Sequence, residues 1–129
     1  MFGPVLRCAG LAFLLGLTAL PAAAQEGWIA LFRNTPAEKF DDEDISLFID
    51  ATRKALNDTP EKGKVSWENP KTKSRGDVTV LSVFTWRQHP CRKLQIVNEA
   101  HGRKGTKTLN LCRVDEKWRA ATDSDLAKP

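Results

Sequence analysis

A chain of 129 residues with a formal charge of +4 fits one domain. The basic excess is too mild to imply a nucleic-acid partner. No internal repeat and no low-complexity stretch interrupts the sequence.

The first stretch reads as a leader. Arg7 supplies a short positive n-region, Ala9 to Leu20 is apolar, and Ala22-Ala23-Ala24 is an A-x-A-type cleavage site. An apolar run this short does not span a bilayer, which needs about 20 residues, and nothing later in the chain resembles a transmembrane span. Cys8 precedes the apolar run, whereas a lipoprotein cysteine follows it at the cleavage point. Residues 1–24 are therefore expected to form a cleaved secretory signal peptide, with Gln25 as the new N-terminus. Cleavage removes Arg7 and leaves 19 basic against 16 acidic residues, a formal charge of +3. It also leaves two cysteines, Cys91 and Cys112, which in an exported domain most simply form one disulfide.

Within 25–34, Trp28, Leu31 and Phe32 share a helical face, which predicts one or two docked turns ended by Thr35-Pro36-Ala37. Residues 41–57 are the clearest helix. Asp41 is the N-cap, Asp42, Glu43 and Asp44 suit the positive end of the helix dipole, and Phe40 with Ile45 form a hydrophobic staple. Ile45, Phe48, Ile49, Thr52, Ala55 and Leu56 make the buried stripe. Capping accounts for the acidic first turn without a metal. Asn57-Asp58-Thr59-Pro60 ends the helix.

Strands follow. Residues 64–69 alternate, with Val65 and Trp67 on one face, and 70–76 is a polar turn. Residues 77–87 are apolar on both sides, which predicts a central strand. Val78, Val80, Phe84 and Trp86 are expected on one face, Leu81 and Val83 on the other. Gln88-His89-Pro90 turns the chain into a hairpin with arms at roughly 91–99 and 106–114. A last strand, 117–121, carries Trp118, and 122–129 is expected to be a flexible tail.

The hairpin's register follows from its own residues. With Cys91 opposite Cys112, Leu94 faces Leu109, Arg92 faces Leu111, and the loop falls on Ala100 to Arg103. Leu94, Ile96, Leu109 and Leu111 then share one face. A slip of one residue would scatter these side chains over both faces. Directly opposed cysteines suit the short separation of a non-hydrogen-bonded pair.

Trp67-Glu68-Asn69-Pro70, Lys71-Thr72, Gly76-Asp77-Val78-Thr79, Cys91-Arg92, Cys112-Arg113 and Asp115 with Trp118 together resemble the C-terminal domain of the rickettsial-type bacterial surface antigens, the small seventeen-kilodalton outer-membrane antigens of proteobacteria. The likeness covers roughly residues 50–120. Lys73 and Glu116 stand where the family pattern has glycine, and the chain shows neither the lipobox nor the glycine-zipper segment frequent in that family. The resemblance implies a β-rich domain of the cell envelope and supplies no catalytic residue.

The residues themselves offer little chemistry. His89 lies two positions from Cys91, but a disulfide removes the thiolate that a nucleophile needs. His89 and His101, the only histidines, fall at opposite ends of the hairpin, too far apart to share a metal. No phosphate-binding glycine motif or recognisable catalytic set is present. Four tryptophans, Trp28, Trp67, Trp86 and Trp118, read as core packing. The basic residues are more informative. Alternate turns of an up-and-down sheet share an end, so the 70–76 turn and the 100–105 loop gather Lys71, Lys73, Arg75, Arg103, Lys104 and Lys107 into a candidate surface for an anionic partner.

The expectation is an α+β fold: an antiparallel meander of four or five strands, one packed helix and a cross-strand Cys91–Cys112 disulfide over 25–121. No catalytic residues, metal or cofactor are expected. The expected function is that of a non-enzymatic structural or binding module, periplasmic or associated with the outer membrane or cell surface. Its partner would be an anionic envelope component or an envelope protein. The alternative is a small secreted regulator or inhibitor that docks on an envelope protein through the basic loops.

Overall fold

The computed structural model describes residues 27–128 together with Gly3. Gly3 apart, the expected leader and its cleavage point lie outside the described residues. Five antiparallel strands follow one another in the order of the sequence: β1 (Lys64–Glu68), β2 (Arg75–Trp86), β3 (His89–Ala100), β4 (Arg103–Val114) and β5 (Lys117–Ala121). Helix α1 (Asp42–Asn57) packs on one face against β1 and β2. Two 3₁₀ segments, Gly27–Phe32 and Pro36–Lys39, lie ahead of it.

Helix α1 starts where the sequence says it should. The Asp41 side chain accepts from the Asp44 backbone N–H at 2.8 Å, and Asp44 accepts in return from the Asp41 N–H at 3.1 Å, closing a capping box. The inward face carries Phe48, Ile49, Thr52, Ala55 and Leu56, all buried, with Ile45 half-buried beside them. Phe48 is the hub of an edge-to-face aromatic cluster, with Phe32 at 5.1 Å, Trp28 at 5.6 Å and Phe40 at 5.9 Å. Trp67 of β1 meets Phe40 at 5.0 Å. Trp28 and Trp67 are thus core residues. Leu31, expected on the buried face with Trp28 and Phe32, is instead exposed: the segment winds as a 3₁₀ rather than an α-helix, which changes the residues that share a face.

The central hairpin has the predicted register. Cys91 pairs with Cys112, Arg92 with Leu111 and Leu94 with Leu109, around a two-residue turn at His101-Gly102. The cysteines are bonded, with their Cα atoms 4.0 Å apart. Leu94, Ile96, Leu109 and Leu111 face the helix and are buried. Turns at Arg87-Gln88 and Asp115-Glu116 are also two residues long. All four of those residues have positive φ, as do His101 and Gly102, which is the type I′ geometry that suits strand twist.

Strand β2 departs from the expected pattern. Its partner register shifts between Val80 and Ser82, with Leu81 as the extra residue. A bulge of one residue exchanges the faces beyond it. Val78 and Val80 point at the helix, but Phe84 pairs with Cys91 and so joins the disulfide face, as Trp86 does. The preceding turn stabilises this irregularity. The Val80 N–H donates to Gly63 O at 2.9 Å, the Val83 N–H to Glu61 Oε1 at 3.0 Å, and Lys62 Nζ to Leu81 O at 2.8 Å. These groups continue the sheet edge ahead of Lys64, where β1 begins.

Within 122–129, expected to be flexible, Thr122 caps a single helical turn, α2 (Asp123–Leu126), tied to β4 by Asn110 Nδ2 donating to Asp123 Oδ1 at 2.9 Å. No described helix is long and apolar enough to cross a membrane.

Candidate functional site

Consecutive antiparallel strands place the 69–74 turn and the His101-Gly102 turn at the same end of the sheet. The 69–74 turn is fixed there by a buried carboxylate. Asp44 is 1% exposed and accepts from Asn69 Nδ2 at 2.8 Å and Thr72 Oγ1 at 2.6 Å, in addition to the Asp41 N–H. Asn69 Oδ1 in turn accepts from the Lys71 N–H at 3.1 Å. Burial pushes the Asp44 carboxyl up, but the hydrogen bonds from Thr72, the Asp41 backbone and Asn69 outweigh it and hold the group below its ordinary value. The Asn-Pro-Lys-Thr sequence is therefore a clamp between turn and helix.

Two glycines bring other segments close. A Cβ at Gly76 would lie 2.5 Å from both Trp67 Nε1 and Asn98 Oδ1, so only glycine lets the indole lie across β2. A Cβ at Gly105 would lie 2.7 Å from Pro36 Cδ, so β4 can receive the 3₁₀ segment against its backbone. At the far end of the helix, Arg92 donates through Nη1 to Ala55 O at 3.0 Å and to Thr59 O. A cation against the last carbonyls is what a helix C-terminus favours.

The six basic residues share this turn end but differ in what surrounds them. Lys71 pairs with Glu43 at 3.3 Å and Arg75 with Glu99 at 3.0 Å. Lys107 donates from Nζ to Leu31 O and lies 5.7 Å from the Phe32 ring centre. Lys73, Arg103 and Lys104 are exposed and take part in no ion pair among the described residues. Sequence reasoning missed Lys39, which the 3₁₀ turn carries to the side of Arg103 and Lys104. The only sequence signal was Pro36, whose landing place on Gly105 is a long-range contact. A depression on the face opposite α1 has mixed charge, with Glu68, Asp77 and Glu99 beside Arg75 and Lys104.

Other candidate chemistry is dispersed. His89 is the first residue of β3 and His101 directly follows its last, which separates them by about 40 Å at the rise of an extended strand. No group of three or more potential metal ligands occurs among the described residues. Cys91 and Cys112 are buried as well as bonded. The chain matches no protein-family model, no curated protein and no solved structure.

Proposed function

We propose that this is an exported, non-enzymatic protein of the bacterial cell envelope, periplasmic or cell-surface associated, that binds an anionic envelope component through the turn end of its sheet. The observation that carries the reading is the group Lys73, Arg103 and Lys104, cations without an ion-pair partner among the described residues, Lys73 on the clamped 69–74 turn and Arg103 and Lys104 as the first two residues of β4. Cations on a preformed backbone attract an anionic polymer or head group without the cost of ordering the chain that carries them, although their side chains still lose rotamer freedom on binding.

Two further points support it. The disulfide is compatible with an oxidising compartment. The motif residues that resemble the surface-antigen domain have structural tasks here: Asn69 clamps a turn, Gly76 admits Trp67, and Arg92 caps the helix. A pattern of this kind specifies a fold, and its function resides in what the fold displays. The alternative, docking on an envelope protein, is favoured by the mixed-charge depression beside Arg75 and Glu99, since alternating charges select a protein surface better than a polyanion.

The test is reversal of Lys73, Arg103 and Lys104 to Glu, followed by fractionation in the native cell and sedimentation with isolated envelopes. The expected result is loss of envelope association that tracks ionic strength in the wild-type protein. Unchanged association of a folded variant overturns the reading. A single specific crosslinked protein would establish the alternative.

A further inference from the structure

Strand β5 forms one edge of the sheet, because it pairs with β4 and with no other strand. Val114 and Lys117 flank a two-residue turn and so exchange both backbone bonds. Alternation from that pair makes Arg113–Trp118 and Leu111–Ala120 the non-hydrogen-bonded pairs. The N–H and C=O groups of Trp118 and Ala120 therefore point away from β4, and they have no backbone partner among the described residues. A depression of about 370 Å³ lies beside them, and its lining includes Gly27, Leu31 and the four consecutive residues Lys117 to Ala120. Successive residues of a strand point to opposite faces, so a depression that reaches all four runs along the strand's edge.

The two sides of this edge differ in chemistry. Trp118 and Ala120 stand on the face towards α1, where Trp118 Nε1 donates to Asn57 Oδ1 at 3.3 Å. Trp118 is half-buried and Ala120 exposed, and Leu31, in the same lining, is 40% exposed. The apolar side of the edge is thus open to a partner. Lys117 and Arg119 stand on the other face, both exposed and in no ion pair among the described residues. The acids nearest in sequence, Asp115, Glu116 and Asp123, lie beyond the two ends of the strand.

We propose that the free edge of β5 binds an extended acidic peptide of a partner protein as a sixth strand. The peptide backbone bonds with Trp118 and Ala120, its apolar side chains rest on Leu31 and Trp118, and its alternate, acidic side chains meet Lys117 and Arg119 on the other face. A second copy of this chain is the poorer occupant. Pairing Trp118 with Ala120 of another β5 sets Arg119 against Arg119, and like charges directly opposed destabilise a sheet. Cations on an edge strand guard against such self-pairing. The surface is separate from the turn end, since β5 pairs with Asn110 to Val114, whereas Arg103 and Lys104 open β4.

Calorimetric titration at physiological ionic strength with short synthetic peptides tests it. A peptide of alternating Glu and Val should bind one to one, about tenfold or more tighter than peptides alternating Lys-Val, Glu-Ser or Glu-Pro, which lack in turn the charge, the apolar face and the strand backbone. Ala120→Pro removes an N–H that the sheet does not use, so the protein should melt as the wild type does while peptide binding is lost. Lys117→Glu with Arg119→Glu, at exposed positions, serves if that variant does not fold; it should weaken Glu-Val binding by about tenfold or more and favour Lys-Val. Loss of binding in the folded variants supports the edge site. Wild-type affinity in either of them overturns it, as do equal binding of Lys-Val or Glu-Pro and the absence of Glu-Val binding. A dimer that Ala120→Pro dissociates overturns it too and gives the edge to a second copy. Reversal of Lys73, Arg103 and Lys104 to Glu should leave peptide binding in place, so the failure of one surface does not entail that of the other; lost binding there would move the peptide to the turn end and overturn the edge site.

Discussion

Replacing Asp44 by Asn removes one charge from the centre of the turn-to-helix clamp and changes almost nothing in shape. The carboxylate accepts from Asn69 and Thr72 on Oδ1 and from the Asp41 N–H on Oδ2. An asparagine offers one oxygen, so its NH2 must face at least one of these donors. Hydrogen bonds to a charged group contribute about 1.5–3 kcal/mol each, and a lost cap costs about 1 kcal/mol. With some bonds kept to the remaining oxygen, the net cost should be about 3 kcal/mol, or about 12–24 °C in melting temperature for a domain near 100 residues. The sign of the pH effect follows from the lowered pKa of Asp44. Its stabilisation is complete above the unfolded value and disappears as pH falls through the lower folded value. Urea unfolding at pH 7 and again below pH 3 should therefore show a gap between wild type and variant that narrows in acid. A cost under about 1 kcal/mol at pH 7, or a gap that does not change with pH, would refute this account of the clamp.

The other expectations concern the turns, the helix end and the staple. Glu116→Gly should stabilise by about 1 kcal/mol, because Glu116 holds φ 64° in a type I′ turn; a lowered urea midpoint would contradict it. Arg92→Ala should cost about 2 kcal/mol by leaving the carbonyls of Ala55 and Thr59 without their cation, with Arg92→Lys recovering only part. Cys91→Ser with Cys112→Ser should cost about 3 kcal/mol in the chain-entropy account of a loop this long. Thiol labelling of the denatured, unreduced protein should find neither cysteine free.

The hairpin was legible because two independent constraints agreed. The leucines required one register for a buried face, and the cysteines required the same one for bonding. Helix α1 was legible because its cap, staple and stripe are all local. Strand β2 was not, because residues 78–86 are apolar on both sides and no period marks Leu81 as the extra residue. Its cause lies in Glu61 and Lys62, a turn whose role exists only once the sheet is formed. The basic end was half legible. Topology alone places the two turns together. The pairing of Lys71 with Glu43 and of Arg75 with Glu99, and the arrival of Lys39 beside Arg103, depend on packing between elements far apart in sequence.

Every strand pairs with its neighbour in the sequence, and the Cys91–Cys112 bond closes only 21 positions within one such pair. The order of synthesis is then also a permissible order of assembly. Hairpins of this kind close in microseconds, and contacts of short sequence separation speed folding. The bond can form once residue 112 has emerged, before β5 exists and without waiting for the N-terminal segment to dock. Oxidation would then act early, committing a growing chain to its register, and the 3₁₀ segment at Gly105 and the helix at Arg92 would dock onto a hairpin already fixed.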